Sequence, residues 1–230
     1  MKRALLKILL LISICSNIKA QKADQFNSWW YYSGKYKITQ GINLQSLYSW
    51  SRHNFVKDWQ QSKLKLGAGY ILFKNASFDT GYEWVVLYPY GKHPVSKKRT
   101  EHRIYERLSL KNKIQHISLN YGVLLEQRFM QTITRHRLRV LLGAKMPIVY
   151  SKKGDIKLGI SFFNHLFFDI DTYANGKHLR QNRIYGGFDI PIHNSLTVGI
   201  GYMNQYIIIN DSRIENDHTL MVSLSHKLGF

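Results

Sequence analysis

Cysteine is almost missing from this sequence. Cys15 is the only one in 230 residues, so no disulfide can form within the chain and no thiolate cluster can hold a metal. Proline is scarce as well. The four are Pro89, Pro94, Pro147 and Pro191, and each falls at the end of an alternating segment or between segments, where a strand ladder tolerates the missing N–H. Acidic residues number 14 against 33 Lys and Arg, a formal charge of +19. After residue 20 no apolar run approaches the roughly 20 residues of a membrane-spanning helix. There is no phosphate loop, dinucleotide fingerprint, zinc motif or His-Glu-x-x-His, and the ten histidines are scattered. Neither a metal nor a cofactor is expected.

The first twenty residues have the layout of a secretory signal. Lys2, Arg3 and Lys7 precede the short apolar run Ile8 to Cys15, and a polar stretch ends on the small Ala20. Ile14 stands where a lipoprotein signal needs a small residue before its cysteine, which weighs against lipidation. Cleavage after Ala20 would leave a domain of 210 residues, residues 21–230, and remove Lys2, Arg3, Lys7 and Lys19, lowering the charge to +15. A retained anchor is the alternative. A basic balance of this size suits nucleic acid or a surface facing anionic lipid head groups. The export signal and the strand pattern favour lipid, and no nucleic-acid partner is expected.

What the rest of the chain has is alternation with period two, the signature of strands with two unlike faces. Between Arg135 and Ile148 the even positions are His136, Leu138, Val140, Leu142, Ala144, Met146 and Ile148, while Arg135, Arg137, Arg139 and Lys145 stand at odd ones. Leu64, Leu66, Ala68, Tyr70 and Leu72 oppose Lys63, Lys65, Gly67 and Gly69. Phe78, Tyr82, Trp84, Val86 and Tyr88 oppose Asp79, Gly81 and Glu83. Candidate strands lie at about 37–50, 60–73, 78–88, 100–110, 115–128, 134–148, 155–167, 181–190, 195–208 and 217–230, with a shorter one at 27–33. Short connections such as 74–77, 111–114 and 191–194 alternate with longer ones at 51–59, 89–99, 169–180 and 209–216. The expectation is an all-β, transmembrane, antiparallel up-and-down barrel of about ten strands, or twelve, because both chain ends on one side require an even count.

A soluble sandwich or lipocalin-like barrel would also alternate, with its apolar face inside. Two features weigh against it. The polar face is rich in Gly and Arg. Aromatics also gather near segment ends: Trp29, Trp30, Tyr31, Tyr32, Tyr48, Trp50, Trp59, Tyr88, Tyr90 and Tyr150, as interfacial girdles do. The last segment sets Leu220, Val222, Leu224, Leu228 and Phe230 on one face and stops on that phenylalanine. It resembles the C-terminal signal read by the outer-membrane barrel assembly machinery, in which an extended strand adds to an open edge. The expected address is the outer membrane of a Gram-negative bacterium. The expected partners are its lipid, lipopolysaccharide and that machinery, and a monomer is expected.

With the apolar face outward, the charged face must line a lumen, because an Arg or Lys at mid-membrane costs about 2–4 kcal/mol. Glu83, Glu101, Arg103, Arg107, Glu126, Arg128, Arg135, Arg137, Arg139 and Arg183 form the expected lumen ion-pair network, with Lys145 and Asp189 also inward. If Glu101, Arg103 and Arg107 point in, Glu106 points out, unless a bulge near Tyr105 intervenes. Such a network is a selectivity filter or proton-linked gate, or a packed ionic core filling a narrow lumen; the filled lumen is favoured.

Gly-Tyr-Glu-Trp (81–84), Glu-His-Arg (101–103), Glu-Gln-Arg-Phe (126–129), Arg-His-Arg-Leu-Arg (135–139) and Gln-Asn-Arg-Ile-Tyr-Gly-Gly (181–187) occur in this order. Together they resemble the outer-membrane barrel family catalogued as domain of unknown function 2490, over residues 25–230. The resemblance implies a barrel and an outer-membrane address, and no established reaction. Where the family carries a Glu-rich stretch before the last motif, this chain has Phe162, Phe163, Asn164 and His165, which implies a missing carboxylate.

Three roles stay open: a structural, envelope or narrow-pore barrel, which leads; a lipid-modifying enzyme; and a transporter of a small or apolar ligand. No catalytic residue is assigned. Ser223, Ser225 and His226 are near in sequence, but parity puts His226 on the face opposite both serines. Ser161, Asn164 and His165 are a looser set without an orienting acid. Lys92, Lys97, Lys98 and Arg99 form a basic loop suited either to lipopolysaccharide phosphates or simply to solvent.

Overall fold

The computed structural model describes residues 21–88, 98–171, 178–209 and 213–229. Residues 1–20, Lys92, Lys97 and Phe230, on which the export signal, part of the basic loop and the assembly signal rest, lie outside the described residues.

Eleven strands follow one another: β1 Gln21–Lys37, β2 Ile42–His53, β3 Asp58–Phe73, β4 Ala76–Leu87, β5 Arg99–Ile114, β6 Ile117–Phe129, β7 Thr134–Tyr150, β8 Ile156–Asp169, β9 Leu179–His193, β10 Leu196–Ile208 and β11 Arg213–Leu228. Each pairs with its sequence neighbour, and the sheet closes into a barrel through β1 and β11. Closure satisfies every strand edge internally, which a bilayer demands.

Among the described residues the barrel is the expected one, with eleven strands where about ten, or twelve, were expected. The short segment expected at 27–33 is a full strand, and it runs parallel to β11 from Gln21 opposite Arg213 to Tyr36 opposite Leu228. One parallel pair removes the even-number requirement, which holds only when every neighbour is antiparallel. Closely spaced polar and aromatic residues at 25–36 blur the alternation of β1, which hid its length.

One end of the barrel carries two-residue turns at 74–75, 115–116 and 194–195, and slightly longer ones at 38–41 and 151–155. The opposite end carries 54–57, 88–98, 130–133, 170–178 and 209–212. The connection expected to span 51–59 is therefore only four residues long. Asn54 and Phe55 take positive φ of 49° and 69° to make the tight reversal. Pro147 and Pro191 lie within strands, each beside a register shift that spares the ladder.

The apolar faces look outward. Leu64, Leu66, Tyr70, Tyr82, Trp84, Leu142, Phe162, Ile200 and Tyr202 are all exposed. Glu83, Glu101, Arg103, Glu126 and Arg139 are buried. This inversion of the soluble pattern makes the fold a transmembrane barrel. At the long-loop end, Trp50, Trp59 and Tyr88 pack at 5.7 and 5.3 Å, with the Arg52 guanidinium 5.0 and 4.4 Å over the two indoles. Trp29 and Tyr31 depart from the expected girdle. Both stand at odd positions of β1 and pack with the cluster around Tyr185 and Met203 inside the barrel.

Candidate functional site

The lumen is the most elaborate polar region of the molecule, and its centre is Glu126 on β6. Arg137 Nε donates to its carboxylate at 2.6 Å, Arg139 Nε donates at 3.0 Å, and Arg103 Nη1 approaches at 4.0 Å. β6 and β7 place Glu126 opposite Arg137 in register, so the contact follows from strand pairing. Arg103 joins this group to two more carboxylates: Glu101 at 2.6 Å and Glu83 at 3.5 Å. Arg128 closes on Glu101 at 2.9 Å, and Lys65 on Glu83 at 3.2 Å. Arg135 stands opposite Arg128 at the loop end of this group. A second, smaller group lies toward the short-turn end. There Arg107 bonds Asp79 at 2.9 Å and Gln45 at 3.1 Å, and Gln45 also donates to Asp79. Lys145 meets Asp189 at 2.6 Å near that mouth.

Arg183 is held differently. Its Nε donates to Gln205 Oε1 at 3.0 Å, and its guanidinium lies 4.7 Å over Trp29 and 4.9 Å over Phe167. Arg139 and Arg137 lie over the same Phe167 ring at 4.8 and 5.2 Å. The ionic half of the lumen on β3–β7 thus meets an aromatic half on β8–β1 through cation–π stacking. Taking ions out of water costs several kcal/mol each, and only several partners per carboxylate offset it. Glu126, Glu101 and Glu83 each face at least two cations.

The plug is densely filled. Glu83, Tyr105, Glu126, Phe167, Met203 and Thr219, on six different strands, are each no more than 1% exposed.

The 101–107 stretch alternates without a bulge. Glu101, Arg103 and Tyr105 are buried, Ile104 and Glu106 are exposed, and β5 stays in unbroken register with both neighbours. Of the two arrangements left open for this stretch, the one without a bulge near Tyr105 holds, because that ring belongs inside. It lies against Gly67 and Gly81, with Lys65 Nζ 3.3 Å from its centroid. A Cβ on Gly81 would stand 2.2 Å from the Leu66 carbonyl oxygen and 2.7 Å from the Tyr105 hydroxyl. Gly81→Val is expected to cost about 1–3 kcal/mol by overpacking. Gly186→Val, where a Cβ meets nothing within 4 Å, is expected to be tolerated. Urea unfolding of the refolded barrel measures both.

Several participants carried a weaker sequence signal. Lys65 and Asp79 share the inward phase of their strands and stand opposite Glu83 and Arg107, so register would have found them. Trp29, Gln205 and buried Asp217 gave no comparable sign, because their neighbourhood depends on the β1–β11 closure. The wall parts His226 from Ser223 and Ser225, and in the second loose set it parts Asn164 from Ser161 and His165, which share the lumen face. Ser225 bonds Ser33 at 3.0 Å, whereas His226 reaches the outward Tyr32 at 3.3 Å. Ser161 approaches Asp189 at 3.4 Å, while Asn164 bonds Asn182 at 2.6 Å. At the loop end Asp171 accepts from the His136 backbone N–H at 2.5 Å and pairs with its imidazole, which holds the carboxyl below its ordinary value.

Residues 26–214 match the model of the family described as protein of unknown function (DUF2490). The chain belongs to this family. No curated protein matches this DUF2490 member. Among solved structures it is similar to LpxR from Salmonella typhimurium, with a TM-score of 0.49 and 8% identity over 80% of this chain and 83% of that one. It is also similar to the translocator domain of the autotransporter NalP from Neisseria meningitidis, with a TM-score of 0.43 and 12% identity over 83% and 75%.

Proposed function

We propose that this DUF2490 protein is a sealed outer-membrane barrel of a Gram-negative bacterium, serving the envelope through its wall and its loops rather than conducting through its lumen. Export by residues 1–20 and insertion guided by Phe230 belong to the same proposal. The observation that carries it is the packed plug: buried side chains from six strands, cross-linked by Glu126, Glu101 and Glu83, fill the bore. An ion entering there would have to displace paired charges in a low-dielectric space, which is costly. A narrow pore and a lumenal transporter both need an open passage through the bore, so the filled lumen disfavours them. The hydrolase alternative has Ser161 and His165 on one face, but no hydrogen bond joins them, and Ser161 instead approaches Asp189 at 3.4 Å.

Planar-bilayer recording tests this. The purified barrel is expected to show no steady conductance above the protein-free membrane. A stable, ion-selective current from the unmodified protein would overturn the proposal.

A further inference from the structure

The outer wall is mostly aliphatic and aromatic; besides the exposed Glu106 facing Thr80 across β5 and β4, it carries a strip of carboxamides. Across β8 to β1 the outward residues in a single lateral row are Asn164, Ile184, Asn204, His218 and Phe26, each opposite the next in register. The row above holds Asn182 and Asn216, the latter covered by its neighbours and only 6% exposed. Asn164 Nδ2 donates to Asn182 Oδ1 at 2.6 Å, and Asn204 Nδ2 donates to Asn216 Oδ1 at 3.0 Å. Asn216 Nδ2 lies 2.9 Å from His218 Nε2, and His218 Nδ1 lies 2.6 Å from the Tyr202 hydroxyl. Phe26 stacks on the same imidazole at 5.3 Å. If Asn216 donates to Nε2, the imidazole proton sits on Nδ1 and donates to Tyr202, whose own O–H is then directed outward.

The height of the strip gives it meaning. A strand tilted as in such barrels climbs roughly 2.5 Å per residue along the membrane normal. Asn204 and Asn182 lie within four residues of the long-loop ends of β10 and β9, so the amides sit about 10 Å below the rim. Arg180, two residues loopward of Asn182 where the β8–β9 register shifts, is tethered to the Ile209 carbonyl at 2.9 Å and to Asp169 at 3.4 Å. Below the amides the wall turns apolar, with Phe162, Phe188 and Ile200 exposed. From rim to midplane the order is cation, carboxamides, aliphatic surface. A phosphorylated lipid with amide-linked acyl chains presents its groups in that same order.

We propose that this strip on β8–β11 binds such an acylated, phosphate-bearing glycolipid, the lipopolysaccharide of the outer leaflet. The inference rests on the proposed outer-membrane placement with the long loops outside. The side-chain amides offer both donors and acceptors to the lipid's own amide linkages, while Arg180 stands at phosphate depth. The ester linkages of a phospholipid supply acceptors only, whereas an amide linkage also donates, which is why the glycolipid fits better.

The test uses the full mature barrel in nanodiscs, with purified lipopolysaccharide and, separately, phosphatidylglycerol as probes. The triple variant Asn164→Leu, Asn182→Leu, Asn204→Leu suits a lipid-facing surface, and heat-modifiable gel migration checks that it folds. Tyr202→Phe is the second variant, and Thr80→Leu on β4 is the control. The triple variant is expected to bind lipopolysaccharide at least tenfold more weakly and Tyr202→Phe several-fold more weakly, with Thr80→Leu unchanged and phosphatidylglycerol binding unaffected throughout. Undiminished lipopolysaccharide binding by both strip variants, or an equal loss for phosphatidylglycerol, overturns the inference while leaving the sealed barrel intact. A chain that does not insert into nanodiscs at all overturns the membrane placement instead.

Discussion

Glu126→Ala is expected to destabilise the folded barrel by about 3–5 kcal/mol, because it strands buried guanidinium groups without their counter-ion. Arg137 and Arg139 both donate to this carboxylate, Arg103 lies 4.0 Å away, and Glu126 itself is fully buried. The size of the loss reflects the penalty on the survivors more than the value of the pair. Replacing the group together (Glu126→Leu, Arg137→Leu and Arg139→Met) is therefore expected to recover much of it, since apolar side chains of similar volume leave no charge exposed to low dielectric. Lys145→Ala supplies the contrast. Its pair with Asp189 sits at the short-turn mouth with the lysine side chain 67% exposed, so the expected change is within about 1 kcal/mol. Urea unfolding and refolding in lipid vesicles, followed by tryptophan fluorescence, measures all three. A loss at Glu126 no larger than that at Lys145 would mean the lumen is wet.

Leu142→Arg is the second large effect. Leu142 is at the middle of β7, faces outward and is 49% exposed on the barrel surface. A guanidinium there would sit in hydrocarbon near the bilayer midplane, at a cost of about 2–4 kcal/mol. Ile42→Arg, on the first residue of β2 at the short-turn end, is expected to cost about 0–1 kcal/mol, because an arginine there reaches the interface. The depth dependence separates a lipid-facing wall from an ordinary exposed surface. On a surface in water neither arginine would matter.

Much of this architecture was legible in the sequence, for a simple reason. A membrane barrel keeps its inside–outside alternation over most of the wall, because a slip puts charges into lipid; Glu106, exposed on the outward face of β5, departs from it. Arg135, Arg137 and Arg139 opposite Leu138, Val140 and Leu142 cannot be arranged any other way, and Glu126 pairs with Arg137 once β6 and β7 are antiparallel neighbours. The ends of the chain were harder. β1 mixes inward Trp29 and Tyr31 with outward Trp30 and Tyr32, so its phase is invisible from composition, and its parallel partner β11 is almost the whole chain away. The aromatic half of the lumen depends on that closure and was unseen with it. The outward Asn164, Asn182, Asn204 and Asn216 were hidden differently. Their parity was readable, but only the register across β8–β11 shows that they form one strip.

The account stands on which face of each strand meets lipid, and β7 offers the most direct measurement. With Cys15→Ser, single cysteines at positions 138 to 145 can carry spin labels in vesicle-inserted protein, each read for collision with dissolved oxygen and with a water-soluble nickel chelate. The expected result is a period of two: labels at 138, 140, 142 and 144 collide with oxygen, while those at 139, 141 and 143 are shielded from both. A flat profile, or nickel reaching the even positions, would contradict the outward placement of the aliphatic face.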